Sequence, residues 1–270
     1  MRRHLSFLIM LILAILTGAV SAAEENITSW QQMDGKVIGT LTGSTGGPAL
    51  EKNLPEAKIA YYDSVTDIIL ALDSHKIDGA CIDKSFARYL SFEKDNLRIL
   101  DGSMGKFDNA PVFPKNQKGQ DLEKQYSEFV KKLWEDGSID EIDAKWFSAD
   151  QSKWDVPDYE NLPDTNGTLH MAADPIIPPF VMMVNNRIAG YDVDIAARFC
   201  EAYGYRLEIE PMSFAAVIPA VISGKCDFAS SGITITEERA ENVLFSEPIY
   251  HDERGIIVLK TETGNKAGPQ

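Results

Sequence analysis

Cysteine, histidine and basic residues are scarce in this chain. Its 270 residues include three cysteines and four histidines, and 26 lysines and arginines stand against 41 acidic residues, for a formal net charge of −15. This charge argues against binding to nucleic acid or to an anionic membrane surface, both of which attract basic proteins. The histidines have no nucleophile or metal partner near them in sequence, so we expect no catalytic constellation, no metal site and no cofactor.

The three cysteines, Cys81, Cys200 and Cys226, are too few to form a disulfide framework. An oxidising compartment would allow Cys200 and Cys226 to pair. Two buried free thiols are the alternative, and the spacing of these residues does not decide between the two.

Long apolar runs are absent except at the N-terminus. Residues 1–22 combine a basic start, an apolar stretch at 5–16 and small residues before Ala22, as a cleaved signal peptide does. A retained membrane anchor is the alternative, but the apolar stretch is shorter than the ~20 residues that a spanning helix needs. We therefore expect cleavage, and a mature protein in the periplasm or another extracytoplasmic space.

The remaining sequence alternates short apolar runs with amphipathic segments, which predicts an α/β fold with parallel sheets. The predicted strands are residues 37–41, 59–62, 79–82, 98–100, 169–172, 206–209, 226–229 and 256–259. The predicted helices are one from about Pro48 and then 64–73, 122–134, 139–147, 192–203, 215–223 and 237–242. Residues 151–167, with two prolines and little periodicity, are predicted to be a partly ordered linker whose Trp154 and Tyr159 pack on a neighbouring surface.

One motif is specific enough to indicate a family. Residues 230–239 are Ser-Ser-Gly-Ile-Thr-Ile-Thr-Glu-Glu-Arg, with Phe214 upstream and Phe-Ser-Glu-Pro-Ile-Tyr at 245–250. This region resembles the ligand-binding segment of periplasmic amino-acid-binding proteins, solute-binding family 3. The resemblance implies a two-lobed periplasmic binding protein type II fold, with the ligand cleft between the lobes.

Arg239 is the central candidate of this motif, because a guanidinium can bind a carboxylate bidentately. Ser231, Gly232 and Thr234 lie just before it and would supply further donors and acceptors. The alternative is a surface arginine of a helix that pairs with a neighbouring glutamate. The resemblance favours the ligand-binding role.

A second candidate lies far from the motif, in the loop of residues 43–46. Ser44 and Thr45 match a Gly-Thr-Thr-like turn that meets the ligand carboxylate in the family. The loop stands between a strand and a helix, where backbone N–H groups favour an anion. A phosphate-binding P-loop is the alternative, but no Gly-Lys-Ser/Thr follows.

Asp83 ends a segment, residues 76–83, that resembles the helix-to-strand passage of the family. The final aspartate of that passage holds the ligand ammonium, so the resemblance assigns this role to Asp83. The alternative is an N-cap for the helix that follows, a position that aspartate often takes.

Three further residues are candidates for contact with the ligand side chain. Residues 173–180 match the first loop of the family, whose acid, here Asp174, commonly lies beside that side chain. Ile177 stands where the family often has an aromatic residue, which weakens any expectation of a stacked aromatic ligand. Phe214 matches a position that forms an apolar wall, and ordinary core is its alternative.

The parts of the resemblance come in an unusual order. After the signal peptide (1–22), the chain gives the second lobe (23–112) and then the last helices of the first lobe (113–150). The linker (151–167) leads to the opening of the first lobe (168–253). Residues 254–260 complete the second lobe, and a tail predicted to be disordered follows (261–270). We interpret this order as a circular permutation of one complete domain, which predicts that residues 256–259 join the sheet of residues 37–41. The rival is a piece of a tandem protein whose halves belong to different domains.

The resemblance implies an exported binding protein that captures a small amino acid or a close relative and delivers it to the membrane subunits of an ABC transporter. We expect a monomer that is not an enzyme. Two alternatives stay open. Some proteins of this fold are dehydratases, although no Gly-x-Ser-x-Gly elbow is present, and the same lobes also serve as sensory modules of membrane receptors.

Overall fold

A computed structural model describes residues 27–260, so the predicted signal peptide (1–22) and tail (261–270) lie outside the described residues. The helices are α1 (Gly46–Asn53), α2 (Val65–Asp73), α3 (Lys84–Glu93), α4 (Gln117–Glu135), α5 (Ser138–Trp146), α6 (Tyr191–Tyr203), α7 (Phe214–Ile222) and α8 (Glu237–Ala240). Within the described range, none of these helices is both long and apolar enough to cross a membrane.

The strands form two large sheets and one small one. They are β1 (Val37–Leu41), β2 (Lys58–Tyr62), β3 (Gly79–Asp83), β4 (Leu97–Ile99), β5 (Lys106–Asn109), β6 (Val112–Pro114), β7 (Thr168–Ala173), β8 (Ile176–Ile177), β9 (Val181–Val184), β10 (Arg187–Ala189), β11 (Arg206–Pro211), β12 (Phe228–Ala229), β13 (Val243–Phe245) and β14 (Tyr250–Leu259). We call the part built on the six-stranded sheet the second lobe, and the part built on the five-stranded sheet the first lobe.

The second lobe has the strand order β2-β1-β3-β14-β4, with β5 paired to β14. Helices α1 and α2 form where the sequence pattern predicts them, whereas no range was predicted for α3. In α2, the Ser64 side chain accepts a hydrogen bond from the Asp67 N–H and so caps the helix. Ile68, Ile69 and Leu72 of the same helix are buried. Residues 256–259 lie within β14, so the prediction that they join the sheet of residues 37–41 is confirmed.

The first lobe has the strand order β11-β7-β12-β6-β13, with the small antiparallel sheet β10-β9-β8 beside it. Helices α4 and α5 pack in this lobe, far along the chain from most of its strands. The Tyr126 ring of α4 lies 4.6 Å from the Phe199 ring of α6, centroid to centroid. The Trp146 Nε1–H of α5 donates to Asp194 Oδ2 at 2.8 Å.

The expectation of purely parallel sheets is wrong. Strands β1, β2 and β3 are parallel, as are β7, β11 and β12. However, β14 runs antiparallel to β3, β4 and β5, and β6 runs antiparallel to β12 and β13. These strands lie next to the places where the chain passes from one lobe to the other. No crossover helix is present there, and because only parallel neighbours require such a helix, the strands can pair antiparallel.

Two short segments join the lobes within the described chain, one at 109–112 and one at 245–250. They run side by side, because Tyr250 pairs with Asn109 and the Ile249 N–H donates to the Asn109 carbonyl at 2.9 Å. Hinges between domains consist of a few such residues at the ends of elements.

The linker of residues 151–167 is ordered in the structure and contains two short 3-10 turns, Gln151–Lys153 and Tyr159–Asn161. Tyr159 is buried, and the Trp154 ring stacks on Trp146 at 6.3 Å between centroids. The prediction that these two aromatic residues pack on a neighbouring surface is confirmed.

The three cysteines are buried free thiols in the structure. Burial raises the pKa of Cys81 and that of Cys200 to about 12. Of the two alternatives for Cys200 and Cys226, the structure therefore has the unpaired thiols.

Candidate ligand-binding site

A cavity of about 50 Å³ lies between the two lobes. The second lobe lines it with Leu41, Ser44, Thr45, Val65, Cys81, Ile82, Asp83, Phe86 and Arg254, and the first lobe with Ile177, Phe180, Phe214, Gly232, Thr234 and Arg239. Eight of the ten residues predicted from the sequence thus meet at one place. The other two, Ser231 and Asp174, do not line the cavity.

Arg239 joins the two lobes. Its Nη1 donates to the Thr234 carbonyl at 2.7 Å, and its Nη2 donates to the Gly43 carbonyl of the opposite lobe at 2.8 Å. The guanidinium lies over the Phe214 ring, 5.9 Å from the centroid. No ion pair with Glu237 or Glu238 is present among the described residues, so the structure does not support the surface-arginine alternative.

Gly232 is held by a buried aspartate behind the cavity. The Gly232 N–H donates to Asp192 Oδ2 at 2.9 Å, and the Ser230 hydroxyl donates to the same oxygen at 2.7 Å. The backbone of Gly232 is left-handed (φ +59°), and a Cβ there would lie 2.9 Å from the Phe180 ring. Both facts require glycine at this position.

Asp174 and Ser231 support the first loop from behind. The Asp174 carboxylate accepts hydrogen bonds from the N–H groups of Ile176 (3.2 Å) and Phe214 (2.8 Å). The Asp174 N–H in turn donates to the Ser231 hydroxyl at 3.0 Å. The carboxylate is therefore engaged by the backbone, and we assign Asp174 a positioning role where the sequence predicted contact with a ligand side chain.

Ile177 and Phe214 form the apolar side of the cavity together with Phe180. Ile177 and Phe214 are each about 8% exposed. The two alternatives for Phe214, apolar wall and ordinary core, both describe what it does, because its ring faces the cavity and packs in the first lobe.

The opposite wall is polar and belongs to the second lobe. Ser44 Oγ accepts from the Gly46 N–H at 3.2 Å, which holds the loop before α1. Asp83 stands at the N-cap position of α3, but its side chain makes no capping hydrogen bond. Its carboxylate instead accepts a hydrogen bond from Arg254 Nη1, and Thr45 Oγ1 accepts one from Arg254 Nη2.

Arg254 is the charged residue of the cavity lining that sequence reasoning missed. It lies on β14 directly opposite Asp83 of β3, and its side chain is 7% exposed. The guanidinium also lies over the Phe107 ring, 4.7 Å from the centroid. The sequence signal for it was a charged residue at the head of the apolar run 255–259, but its partner could only be found from the pairing of two strands 170 residues apart.

The two arginines of the cavity influence each other. Burial, together with repulsion from the nearby charge of Arg254, lowers the pKa of Arg239 to about 10, which leaves it charged at neutral pH. Burial raises the pKa of Asp83, and the charges of Arg254 and Arg239 oppose that rise. The charged side chains that line the cavity are therefore two cations and one carboxylate.

A fourth charged group, Asp252, lies behind this wall on the same face of β14. Its carboxylate accepts hydrogen bonds from the Ser85 hydroxyl and from the Glu253 N–H. Burial, and then repulsion from Asp83, raises the pKa of Asp252 to about 7. Asp252 does not line the cavity.

The raised pKa of Asp252 predicts a pH-dependent effect of Asp252→Asn. Because the folded pKa lies above the unfolded value, this group destabilises the fold as pH rises from about 4 to about 7. We expect the variant to be more stable than the wild type at pH 8 by about 1–2 kcal/mol. This is a part of the free energy obtained when the whole pKa shift is converted at ~1.4 kcal/mol for each unit. The gain should shrink at pH 4.5.

Urea denaturation at the two pH values measures this difference. Asp95→Asn, an exposed change of the same chemistry, is the control. Equal effects of Asp252→Asn at both pH values would show that the carboxylate is not held in a charge-disfavouring environment.

One group of possible metal ligands lies away from this cavity. His170 of β7 and Glu208 and Glu210 of β11 bring one ligand atom each to within 4.8 Å of one another. These side chains are half-buried or exposed, and a carboxylate oxygen of each glutamate lies 3.6 Å from His170 Nδ1.

The cavity motif falls inside a stretch that matches a known family. The profile of the bacterial extracellular solute-binding proteins, family 3, matches residues 169–266, which include Phe214, Gly232, Thr234, Arg239 and Arg254. This stretch of the chain is therefore similar to that family.

Several curated proteins are similar to about a third of the chain. The arginine-binding extracellular protein ArtP of Bacillus subtilis (strain 168) is 35% identical over 86 residues, which are 32% of this chain and 33% of ArtP. Cyclohexadienyl dehydratase of Pseudomonas aeruginosa is 33% identical over 98 residues, 36% of this chain and 37% of that enzyme. The chain thus matches about a third of the length of these curated relatives.

A solved structure is also similar to a part of the chain. An ancestral arginine-binding protein bound to arginine shares 39% identity, with coverage of 28% of this chain and 34% of that one and a TM-score of 0.28. The match to the family 3 profile covers residues 169–266, a range that includes the first-lobe side of the cavity.

Proposed function

We propose that this protein captures a small amino acid, or a close relative that keeps the carboxylate, between its two lobes and delivers it to an ABC transporter outside the cytoplasm. One observation carries the proposal. The family 3 motif and the loop of residues 43–46, almost 200 residues apart in sequence, line one cavity from opposite lobes. A ligand held there would contact both lobes, which is how a ligand stabilises a closed two-lobed form.

The ligand carboxylate would bind at Arg239. Two of the five N–H donors of this guanidinium are used in hydrogen bonds to described residues, so the other donors remain for a carboxylate. The hydroxyls of Thr234, Thr45 and Ser44 would supply further hydrogen bonds. Ile177, Phe180 and Phe214 would cover the rest of the ligand and exclude water from the charged contacts.

Ligand-dependent thermal stabilisation tests the proposal. Amino acids, and 2-hydroxy and 2-oxo acids of the same carbon skeletons, are screened against the folded protein. A ligand at 100 times its Kd stabilises the fold by about 2.7 kcal/mol, which for a domain of this size is a rise of roughly 5–10 °C in Tm. If no compound raises the Tm of the folded protein, small-carboxylate capture is excluded.

An enzymatic role is the second candidate, and the similarity to cyclohexadienyl dehydratase is the observation that favours it. The same samples discriminate between the two. A binding protein returns its ligand unchanged after hours of incubation, as measured by mass spectrometry, whereas an enzyme consumes it.

We further propose that the chain is one complete domain in circularly permuted order. Two facts support this. The two lobes share the cavity, and both ends of the described chain lie beside β4, where Arg98 Nη2 donates to the Ile27 carbonyl and the Lys260 N–H donates to the Asn96 carbonyl at 2.7 Å. Chain ends that lie close together make such a rearrangement tolerable.

Restoring the usual order tests this second proposal. In the test chain, residues 151–260 precede residues 27–150, with a short Gly-Ser connection between residues 260 and 27. We expect the Tm to stay within about 5 °C of the original, because only loop closure changes, and the ligand profile to be unchanged. A reordered chain that folds but no longer binds the ligands of the original would contradict the single-domain proposal.

A further inference from the structure

The cavity differs in charge from one that suits a free amino acid. An amino acid is a zwitterion, and a matching site offers one cation for the carboxylate and one acid for the ammonium. The described side chains that line this cavity include one acid, Asp83, and two cations, Arg239 and Arg254. The following inference rests on the proposed function and concerns the charge of the ligand.

Arg254 occupies two of the polar groups that the second lobe would offer to an amino acid. It donates to the Asp83 carboxylate, the group assigned to the ligand ammonium, and to the Thr45 hydroxyl. An ammonium group that approached Asp83 would have to displace a guanidinium that already satisfies it. It would also meet the positive charge of that guanidinium at close range.

The position of Arg254 is fixed on several sides. Its backbone is in the middle of β14, its side chain is 7% exposed, and the guanidinium stacks over the Phe107 ring. Asp252, next on the same face of the strand, is engaged with Ser85 and with the backbone of Glu253. No other described acid that lines the cavity is available to neutralise the second arginine.

We propose that Arg254 makes this a site for small organic ligands with a net negative charge. The class comprises acidic amino acids and the 2-oxo and 2-hydroxy acids that lack the amino group. One carboxylate binds Arg239. The second negative or electron-rich oxygen of the ligand accepts from the N–H donors of Arg254 that Asp83 and Thr45 leave free.

Calorimetric titration with matched pairs of ligands tests the inference on the wild-type protein. One charge changes at nearly constant size within each pair. The acid–amide pairs are glutamate with glutamine and aspartate with asparagine. The other pairs compare an acid that lacks the amino group with its amino acid, namely lactate with alanine and 4-methyl-2-oxopentanoate with leucine. In each pair that binds, we expect the more negative member to bind about tenfold more tightly or better, because charge-assisted hydrogen bonds to a guanidinium are the strong ones.

The variants Arg254→Gln and Arg254→Lys assign the preference to this residue. Glutamine keeps a donor for Asp83 but removes the charge, so the preference within each pair should fall to less than about threefold or reverse toward the zwitterion. Lysine keeps the charge and should keep the preference. Arg206→Met, a change of a surface arginine that lies 3.7 Å from Asp164, should leave all ratios unchanged.

The outcomes separate this inference from the proposed function. If zwitterionic members bind as tightly as the anions, or if Arg254→Gln keeps the wild-type ratios, the inference about charge is wrong while amino-acid capture stands. If no member of any pair binds the folded protein, the proposed function itself fails.

Discussion

Trp146→Ala is expected to destabilise the protein by about 3–5 kcal/mol, the range for large-to-small changes of a buried aromatic residue. Trp146 is 1% exposed and ends helix α5 inside the first lobe. The substitution leaves a cavity between α5, α6 and the linker. It also removes the indole N–H that donates to the buried Asp194 carboxylate at 2.8 Å, and a buried acceptor that loses a donor adds to the loss.

Chemical denaturation measures this effect, and Trp134→Ala is its matched control. Trp134 lies on α4 and is 40% exposed, and its Nε1–H donates to the Pro248 carbonyl at 2.9 Å. We expect the control to cost about 1 kcal/mol or less, as surface changes do. Similar losses for the two variants would mean that α5 is not integrated with the strands of residues 168–249, which the single-domain proposal requires.

Arg239→Met is expected to lower ligand affinity about 100-fold or more. A guanidinium bound to a carboxylate makes at least two charge-assisted hydrogen bonds, worth about 1.5–3 kcal/mol each, and 100-fold corresponds to about 2.7 kcal/mol. The fold should survive, because the side chain is half-buried and donates only to two backbone carbonyls within the described protein. Titration with the best ligand from the thermal screen gives the change in Kd.

Arg239→Lys refines this prediction. Lysine keeps the positive charge but not the planar pair of donors, so we expect an intermediate loss. Affinity that stays within a few-fold of the wild type in both variants would place the carboxylate somewhere other than at Arg239.

Several elements were well predicted from the sequence, because their signals are local. The helix predicted at 64–73 is Val65–Asp73 in the structure, with Ser64 as its cap, and the strand predicted at 37–41 is Val37–Leu41. The meeting of the motif at 230–239 with the loop at 43–46 came from the family resemblance. Nothing in composition or periodicity places these two segments together.

The failures of prediction share one physical origin, which is pairing over long distances in sequence. Parallel pairing was wrong for β4 and β14, since strand direction depends on how the chain passes between the lobes, and the antiparallel strands β5, β6 and β13 were not predicted. Asp174 was assigned to the ligand, but its oxygens are used by backbone N–H groups that only the folded loop brings near. Asp83 was found, and its partner Arg254 was not.

The linker has an optical consequence. The Trp154 ring stacks on Trp146 of the first lobe and also on Tyr89 of α3 in the second lobe, with 6.1 Å between the latter two centroids. Separation of the lobes would expose one face of this indole to water and change its fluorescence. The protein thus carries its own reporter of closure, at a distance from the groups that would bind the ligand.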